Sequence, residues 1–150
     1  MQKTLIIMMG LQGSGKSTFY ETHLKEEYVR VNLDTLKTRS RESLLIEECF
    51  AMGKSFAVDN TNPTREERAR YVLRAKAEGY RIIGYFMESK IRECIARNSL
   101  REGKARVPEK AIAATSNKLQ IPSLGESLDE LYFVKNDGTA MTVMPWRTSL

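Results

Sequence analysis

The segment Gly10-Leu11-Gln12-Gly13-Ser14-Gly15-Lys16-Ser17-Thr18 constrains this chain more than any other part of it. It satisfies G-x-x-x-x-G-K-[ST], with an extra glycine at position 13, and it directly follows the apolar run Leu5 to Met9. Glycines let the backbone turn back on itself so that successive N–H groups point inward at an anion. A helix opening at Lys16 presents its positive N-terminal end to the same place. The chemistry served is the holding of a nucleoside triphosphate. Gly10, Gly13, Ser14, Gly15, Lys16, Ser17 and Thr18 are the expected cradle residues. Lys16 is expected to reach the β- and γ-phosphates, and the Ser17 hydroxyl to ligate Mg²⁺.

The rest of the sequence reads as the α/β frame such a loop requires. Short apolar runs predict strands at Leu5 to Met9, Tyr28 to Leu33, Ser55 to Val58, Ile82 to Phe86 and Leu131 to Val134. Between them, helical patterns run over Lys16 to Leu24, Arg41 to Met52, Thr64 to Glu78 and Lys90 to Leu100, with another after Pro108. The expected inward faces are Leu44, Leu45, Cys49 and Met52 on the second of these, and Ala69, Val72, Leu73 and Ala77 on the third. Strands alternating with helices of this length imply a three-layer P-loop fold with a mostly parallel sheet and ligands at the strands' carboxyl ends.

The 150 residues, 41% hydrophobic and 29% charged, suit one domain over 1–150. No apolar run approaches the roughly 20 residues of a membrane span, and neither a span nor a secretory signal is expected. Cys49 and Cys94 lack neighbours at metal spacing and the single histidine is His23, so reduced thiols and a cytoplasmic setting are expected. The net charge of +5 is concentrated. Lys90, Arg92, Arg97, Arg101, Lys104, Arg106 and Lys110 stand against Glu93, Glu102 and Glu109 in one window. The sequence leaves oligomeric state open.

A cradle alone does not name the acceptor. The guanine-reading pattern N-K-x-D is absent, and a small kinase is the class that fits. Asp34, at the end of the second strand, serves either as a base for an acceptor hydroxyl or as a helix N-cap. Asp59, at the end of the third, is a candidate for the Mg²⁺ shell, and Thr61 for acceptor contact. Asn62 before Pro63, and Thr64 with Glu67, read chiefly as helix caps. Arg97 and Arg101 stand four apart, where one helix face can clamp transferring phosphates, and Gly103 to Pro108 reads as a mobile basic lid loop.

Taken in order, GLQGSGKST, VNLDTLK (Val31 to Lys37), VDNTNP (Val58 to Pro63) with RARYV, RNSLR (Arg97 to Arg101) and IPSLGE (Ile121 to Glu126) resemble the kinase domain of polynucleotide 5′-hydroxyl kinases, both the bacteriophage type and that of eukaryotic polynucleotide kinase/phosphatase. The resemblance runs from Leu5 to about Val134. It implies phosphoryl transfer from ATP to a nucleic acid 5′-hydroxyl end, a task of nucleic acid repair. It further implies Asp34 as general base, Arg97 and Arg101 on the donor phosphates, and Thr61 beside the acceptor's phosphate. Lys37 stands where the bacteriophage type has an acceptor-binding arginine, keeping the charge without the planar fork. Lys37, Arg39 and Arg41 together form the expected track for a strand. Transfer to a small alcohol, such as a sugar acid or an antibiotic, is the alternative activity, and a nucleotide-binding protein without turnover is a third.

Overall fold

The computed structural model describes residues 2–146. A six-stranded sheet runs in the order β2-β3-β1-β4-β5-β6, comprising β1 (Thr4–Met9), β2 (Val29–Val31), β3 (Phe56–Asp59), β4 (Arg81–Met87), β5 (Glu130–Asn136) and β6 (Met141–Pro145). The first five strands are parallel, and β6 pairs antiparallel with β5. Every residue of β1 is buried, as expected of the central strand of a sheet covered on both faces. The chain leaves β1 for one side of the sheet and later returns to the other. The loops following β1, β2, β3 and β4 therefore share one edge, around the switch in strand order.

Helix α1 (Lys16–Phe19) widens into a π-helical turn at Tyr20–Leu24 and covers one face, where Phe19, Tyr20 and Leu24 pack on Ile6, Met8 and Ala57. The other face carries α3 (Arg39–Met52) and α4 (Arg65–Ala77), through Cys49, Tyr71, Val72 and Ala75 on Leu5, Ile7 and Val58. A short α2 (Leu33–Leu36) precedes α3. Helices α5 (Ile91–Ser99) and α6 (Glu109–Lys118) have a small core of their own, in which Cys94 and Ile112 close over Leu11 of the cradle. Among the described residues no helix is long and apolar enough to cross a membrane.

Several expectations are corrected by the packing. Leu44, Met52 and Leu73 are exposed rather than inward, as is Ala77. The buried stripe of α4 is Arg68, Tyr71, Val72 and Ala75, a helical spacing that begins with an arginine and so escapes a hydrophobic reading. The stripe of α3 likewise begins with the buried Glu42. The second strand stops at Val31 because the Asn32 side chain accepts the Thr35 N–H and starts α2; Asn32, and not Asp34, is the cap. Asn62 is no cap either: α4 is capped by the Thr64 hydroxyl on the Glu67 N–H, and Asn62, at φ 44°, donates to the Met8 carbonyl. β6 was missed because its residues are only half-buried or exposed. Its signal is the turn, where the Asp137 carboxylate accepts the Thr139 and Ala140 N–H groups and Gly138 takes φ 93°.

Arg68 is 1% exposed, and its position explains why three of the sequence motifs occur together. Its guanidinium donates to both Glu126 oxygens, at 2.8 and 3.2 Å, and to the carbonyls of Asn62 and Gln120. One buried cation thus ties the loop after β3 to the segment Gln120–Glu126. Removing one member of such a pair leaves a desolvated charge, so Glu126→Ala is expected to lower stability by about 3–5 kcal/mol. Denaturant melts would show this, and a loss within about 1 kcal/mol would mean that water replaces the carboxylate.

Candidate active site

The cradle Gly10–Gly15 has no regular structure of its own and is fixed by groups from other elements. Gly10 donates its N–H to the Thr61 carbonyl at 3.0 Å, and Leu11 donates to the Ser89 hydroxyl at 3.1 Å. Asn136, buried at the end of β5, donates to the Ser14 carbonyl at 3.0 Å. Gly13 and Gly15 take φ 82° and 100°, which favours glycine, and both are also sterically closed. A Cβ on Gly13 would strike the Cys94 carbonyl of α5, and one on Gly15 would lie 2.5 Å from Met141 and 2.8 Å from the Asn136 amide. Asn136 ends β5, two residues beyond the expected strand, and Met141 opens β6, the edge strand that the sequence did not reveal.

The Lys16 ammonium is folded inside this loop, donating to the carbonyls of Gly10 and Leu11 at 3.0 and 2.9 Å. Burial lowers its pKa to about 8; Asp59, Cys94 and Asp34 oppose the drop, and Arg101 adds to it. Two carbonyl oxygens are poor recompense for a desolvated cation, which is thereby primed for phosphate oxygens. Ser14 points the same way, its hydroxyl being buried without a hydrogen-bond partner. Ser17 and Thr18 are exposed at the start of α1.

Strand alternation sets the face on which the next groups meet. Arg30 pairs in register with Ala57, and Asp59 lies two residues beyond Ala57, so Arg30 and Asp59 both face α1. The carboxylate of Asp59, 1% exposed, accepts a hydrogen bond from Arg30 Nε at 2.8 Å, with Nη2 in ion-pair contact with the same oxygen at 2.8 Å. Nη2 also donates to the Ser17 hydroxyl at 2.8 Å. Ser17 and Asp59, assigned to Mg²⁺ from the sequence, are therefore close enough to share one cation, and both offer the hard oxygen donors that Mg²⁺ takes. Arg30 was missed by sequence reasoning; its signal is a lone charge amid the strand Tyr28-Val29-Arg30-Val31.

On the other side of the cradle, Arg97 donates to the carbonyls of Gly13 and Asn136 at 3.2 and 3.3 Å. Helix α5 ends at Ser99, so Arg101 lies beyond it rather than one turn along the same face, and its Nη1 meets the Ala105 carbonyl at 3.5 Å. The lid loop is stapled at its far end, because the Asn98 side chain both donates to and accepts from the Val107 backbone.

Asp34 is exposed in the first turn of α2. A network centred on the buried Glu42 anchors that turn: Asn60 accepts from the Leu33 N–H and donates to Glu42, which also accepts from Tyr71 and from the largely exposed Arg39. Arg39, grouped above with the strand-facing cations, is committed to this network. Lys37 and Arg41 are exposed, and Lys37 sits at φ 79°, an uncommon conformation for a residue with a Cβ. Thr61 is half-buried beside the cradle, which it reaches through its carbonyl.

Fold and site together define a P-loop kinase-like domain. Residues 5–44 match the family described as an AAA domain. Over 128 residues the chain is 30% identical to the bifunctional polynucleotide phosphatase/kinase of Schizosaccharomyces pombe, an alignment covering 81% of this chain and 31% of that protein. Over 80 residues it is 39% identical to a protein of Acanthamoeba polyphaga mimivirus, named a putative bifunctional polynucleotide phosphatase/kinase, covering 53% of this chain and 19% of that one. The chain therefore spans less than a third of either relative. A gluconokinase from Sinorhizobium meliloti shares the fold, with TM-score 0.60 and 19% identity over 88% of this chain and 82% of that one. The resemblance to the polynucleotide kinase family read from the sequence motifs is borne out by the two relatives' names.

The lowered Lys16 pKa has a consequence for stability. Below pH 8 the folded protein holds a desolvated ammonium that the unfolded chain keeps in water, and folding is weakened. From about 8 toward the ordinary 10.5 the unfolded chain binds more protons than the folded one, so the penalty fades as pH rises. Lys16→Met, similar in length and uncharged, is expected to be more stable than the parent at pH 7 without ligand, by at most about 3.4 kcal/mol at 1.36 kcal/mol per pH unit. The gap should narrow between pH 8 and 10.5. A lower melting temperature for the variant at pH 7 would show that the two carbonyl contacts outweigh desolvation.

Proposed function

We propose that this domain transfers the γ-phosphoryl group of ATP to the 5′-hydroxyl end of a nucleic acid. The observation that carries the reading is the single edge on which a strained phosphate cradle, the Ser17/Asp59 pair and the turn bearing Asp34 are held together. Likeness to two proteins named polynucleotide phosphatase/kinase supports the choice of acceptor.

In this reading Lys16 exchanges the Gly10 and Leu11 carbonyls for phosphate oxygens, and the N–H groups of Gly13, Gly15 and Lys16 complete the cradle. Ser17 and Asp59 hold Mg²⁺, which when bound neutralises charge on the donor phosphates. Asp34 accepts the proton of the acceptor hydroxyl as its oxygen attacks. Arg97, already on the cradle's backbone, and Arg101 offset charge on the transferring group. Lys37, Arg41 and Thr61 receive the acceptor's backbone phosphates. ATP and Mg²⁺ are thus the small molecules required, and DNA or RNA ends the partner.

With Asn32 serving as the cap, Asp34→Asn isolates the base. It is expected to leave the melting temperature unchanged and to lower turnover on a 5′-hydroxyl oligonucleotide by about 10²–10⁴-fold. Parent-like turnover would remove Asp34 from the mechanism. Lys16→Ala should abolish transfer while the protein remains folded.

Salt distinguishes a polynucleotide from a small alcohol. Each phosphate neutralised on a single strand contributes about 0.7 to the slope of log affinity against log salt. With Lys37 and Arg41 as two contacts, raising salt from about 50 to 200 mM is expected to raise the oligonucleotide KM about sevenfold. Lys37→Glu with Arg41→Glu should flatten the slope and leave ATP binding intact. A salt-independent KM, or faster turnover on gluconate or another free sugar acid, would assign the domain to small-molecule phosphorylation.

A further inference from the structure

The guanidinium of Arg30 occupies the position between Ser17 and Asp59 that the proposed function gives to a divalent cation. Its Nε and Nη2 hold one Asp59 oxygen, and Nη2 reaches the Ser17 hydroxyl, every distance being 2.8 Å. No other cation bonds to either side chain among the described residues. The arrangement is built into the sheet: Arg30 alternates with Val29 and Val31, which pack toward α3 and α4, so its side chain must emerge on the α1 side, where Ser17 and Asp59 are. Asp59 is buried, and a lone carboxylate there would be costly; some cation has to accompany it. The same guanidinium also rests over an aromatic face: its central carbon lies 5.8 Å from the centroid of the Tyr20 ring, a contact that does not depend on a carboxylate.

We propose that Arg30 is a resident stand-in for the divalent cation, which balances Asp59 before nucleotide binds, competes with Mg²⁺ for Ser17 and Asp59, and yields both oxygens to Mg²⁺ while keeping its contact with the Tyr20 ring. The proposal rests on Ser17 and Asp59 being the cation's ligands. It goes further by making the Mg²⁺ requirement a property that an arginine on β2 sets. Two consequences follow from competition. Removing the guanidinium lowers the Mg²⁺ concentration needed for nucleotide binding. It also exposes the full dependence on Mg²⁺, because nothing then screens Asp59 from the donor phosphates when the metal is absent. A guanidinium that only braces the sheet has neither consequence.

The test uses the whole chain and a fluorescent ADP analogue, so that no acceptor and no turnover are needed. Binding is measured across a Mg²⁺ titration and again in EDTA, for the parent and for Arg30→Ala, Arg30→Gln and Arg30→Lys, each first melted without ligand to establish that it folds. Arg30→Ala and Arg30→Gln are expected to need about tenfold less Mg²⁺ for half-maximal binding, equivalent to ~1.4 kcal/mol of competition removed. In EDTA both should bind the analogue more weakly than the parent does. Arg30→Lys, whose ammonium cannot span Asp59 and Ser17 as a fork does, should fall between, and it carries the test if the other two do not fold. An unchanged or higher Mg²⁺ requirement in the folded variants overturns the stand-in while leaving the donor site in place. A parent whose nucleotide binding ignores Mg²⁺ overturns the stand-in together with the assignment of Ser17 and Asp59.

Discussion

The nucleotide cradle depends on close approach. Gly10 to Gly15 is a loop that no internal ladder holds, with φ of 153°, 82° and 100° at its three glycines, and its shape is imposed by the surfaces against it. The Cys94 carbonyl of α5 presses on Gly13, Asn136 and Met141 from the far sheet edge press on Gly15, and Thr61 and Ser89 take the N–H groups at the start of the loop. Apart from the Ser14 N–H, which donates to the Leu11 carbonyl at 3.1 Å, the backbone polar groups of the loop that are bonded are spent on neighbouring elements and on Lys16. The cradle is therefore joined mechanically to α5 on one side and to the loop after β3 on the other.

Around it, buried charge is used for positioning. Arg68 with Glu126 joins α4 and the loop after β3 to the segment before β5, and Glu42 with Arg39, Tyr71 and Asn60 joins α3 to the turn carrying Asp34. Neither arrangement adds greatly to net stability, since desolvating ions offsets most of what their attraction returns. Each fixes relative placement, because a bidentate guanidinium or a carboxylate with three donors tolerates little displacement. Motifs that look functional in the sequence, RARYV and IPSLGE, act in this structural way: they hold the Asp59–Thr61 segment level with the cradle.

Electrostatically the donor side is overloaded with cations. Lys16, Arg30 and Arg97 all rest on backbone carbonyls, a hydroxyl or a single carboxylate, and the Lys16 pKa falls accordingly. Charges held in weak company are available for exchange, since a polyanion entering the site meets groups whose present partners are inferior to phosphate oxygens. Rigid placement by buried pairs and loosely committed cations in the cleft are complementary requirements of one site.

Much of this was legible in the amino-acid sequence. The cradle, the parallel α/β frame and the placement of Asp59 at a strand end follow from local rules: glycine spacing, alternation of apolar runs, and polar residues where a strand must stop; Asp34, expected at the end of the second strand, falls instead in the helical turn beyond it. Other features are decided by tertiary structure alone. The inward faces of α3 and α4 begin with Glu42 and Arg68, whose burial is tolerable only because partners distant in sequence satisfy them. β6 owes its place to an edge that needed pairing more than to hydrophobicity. Arg30 reads in sequence as one charge in a strand, and it becomes a cation shared by Ser17 and Asp59 only when strand register sets all three on one face. Sequence fixes what each segment prefers by itself; which charges are neutralised, and by whom, depends on distances between segments that only the packed sheet brings within reach.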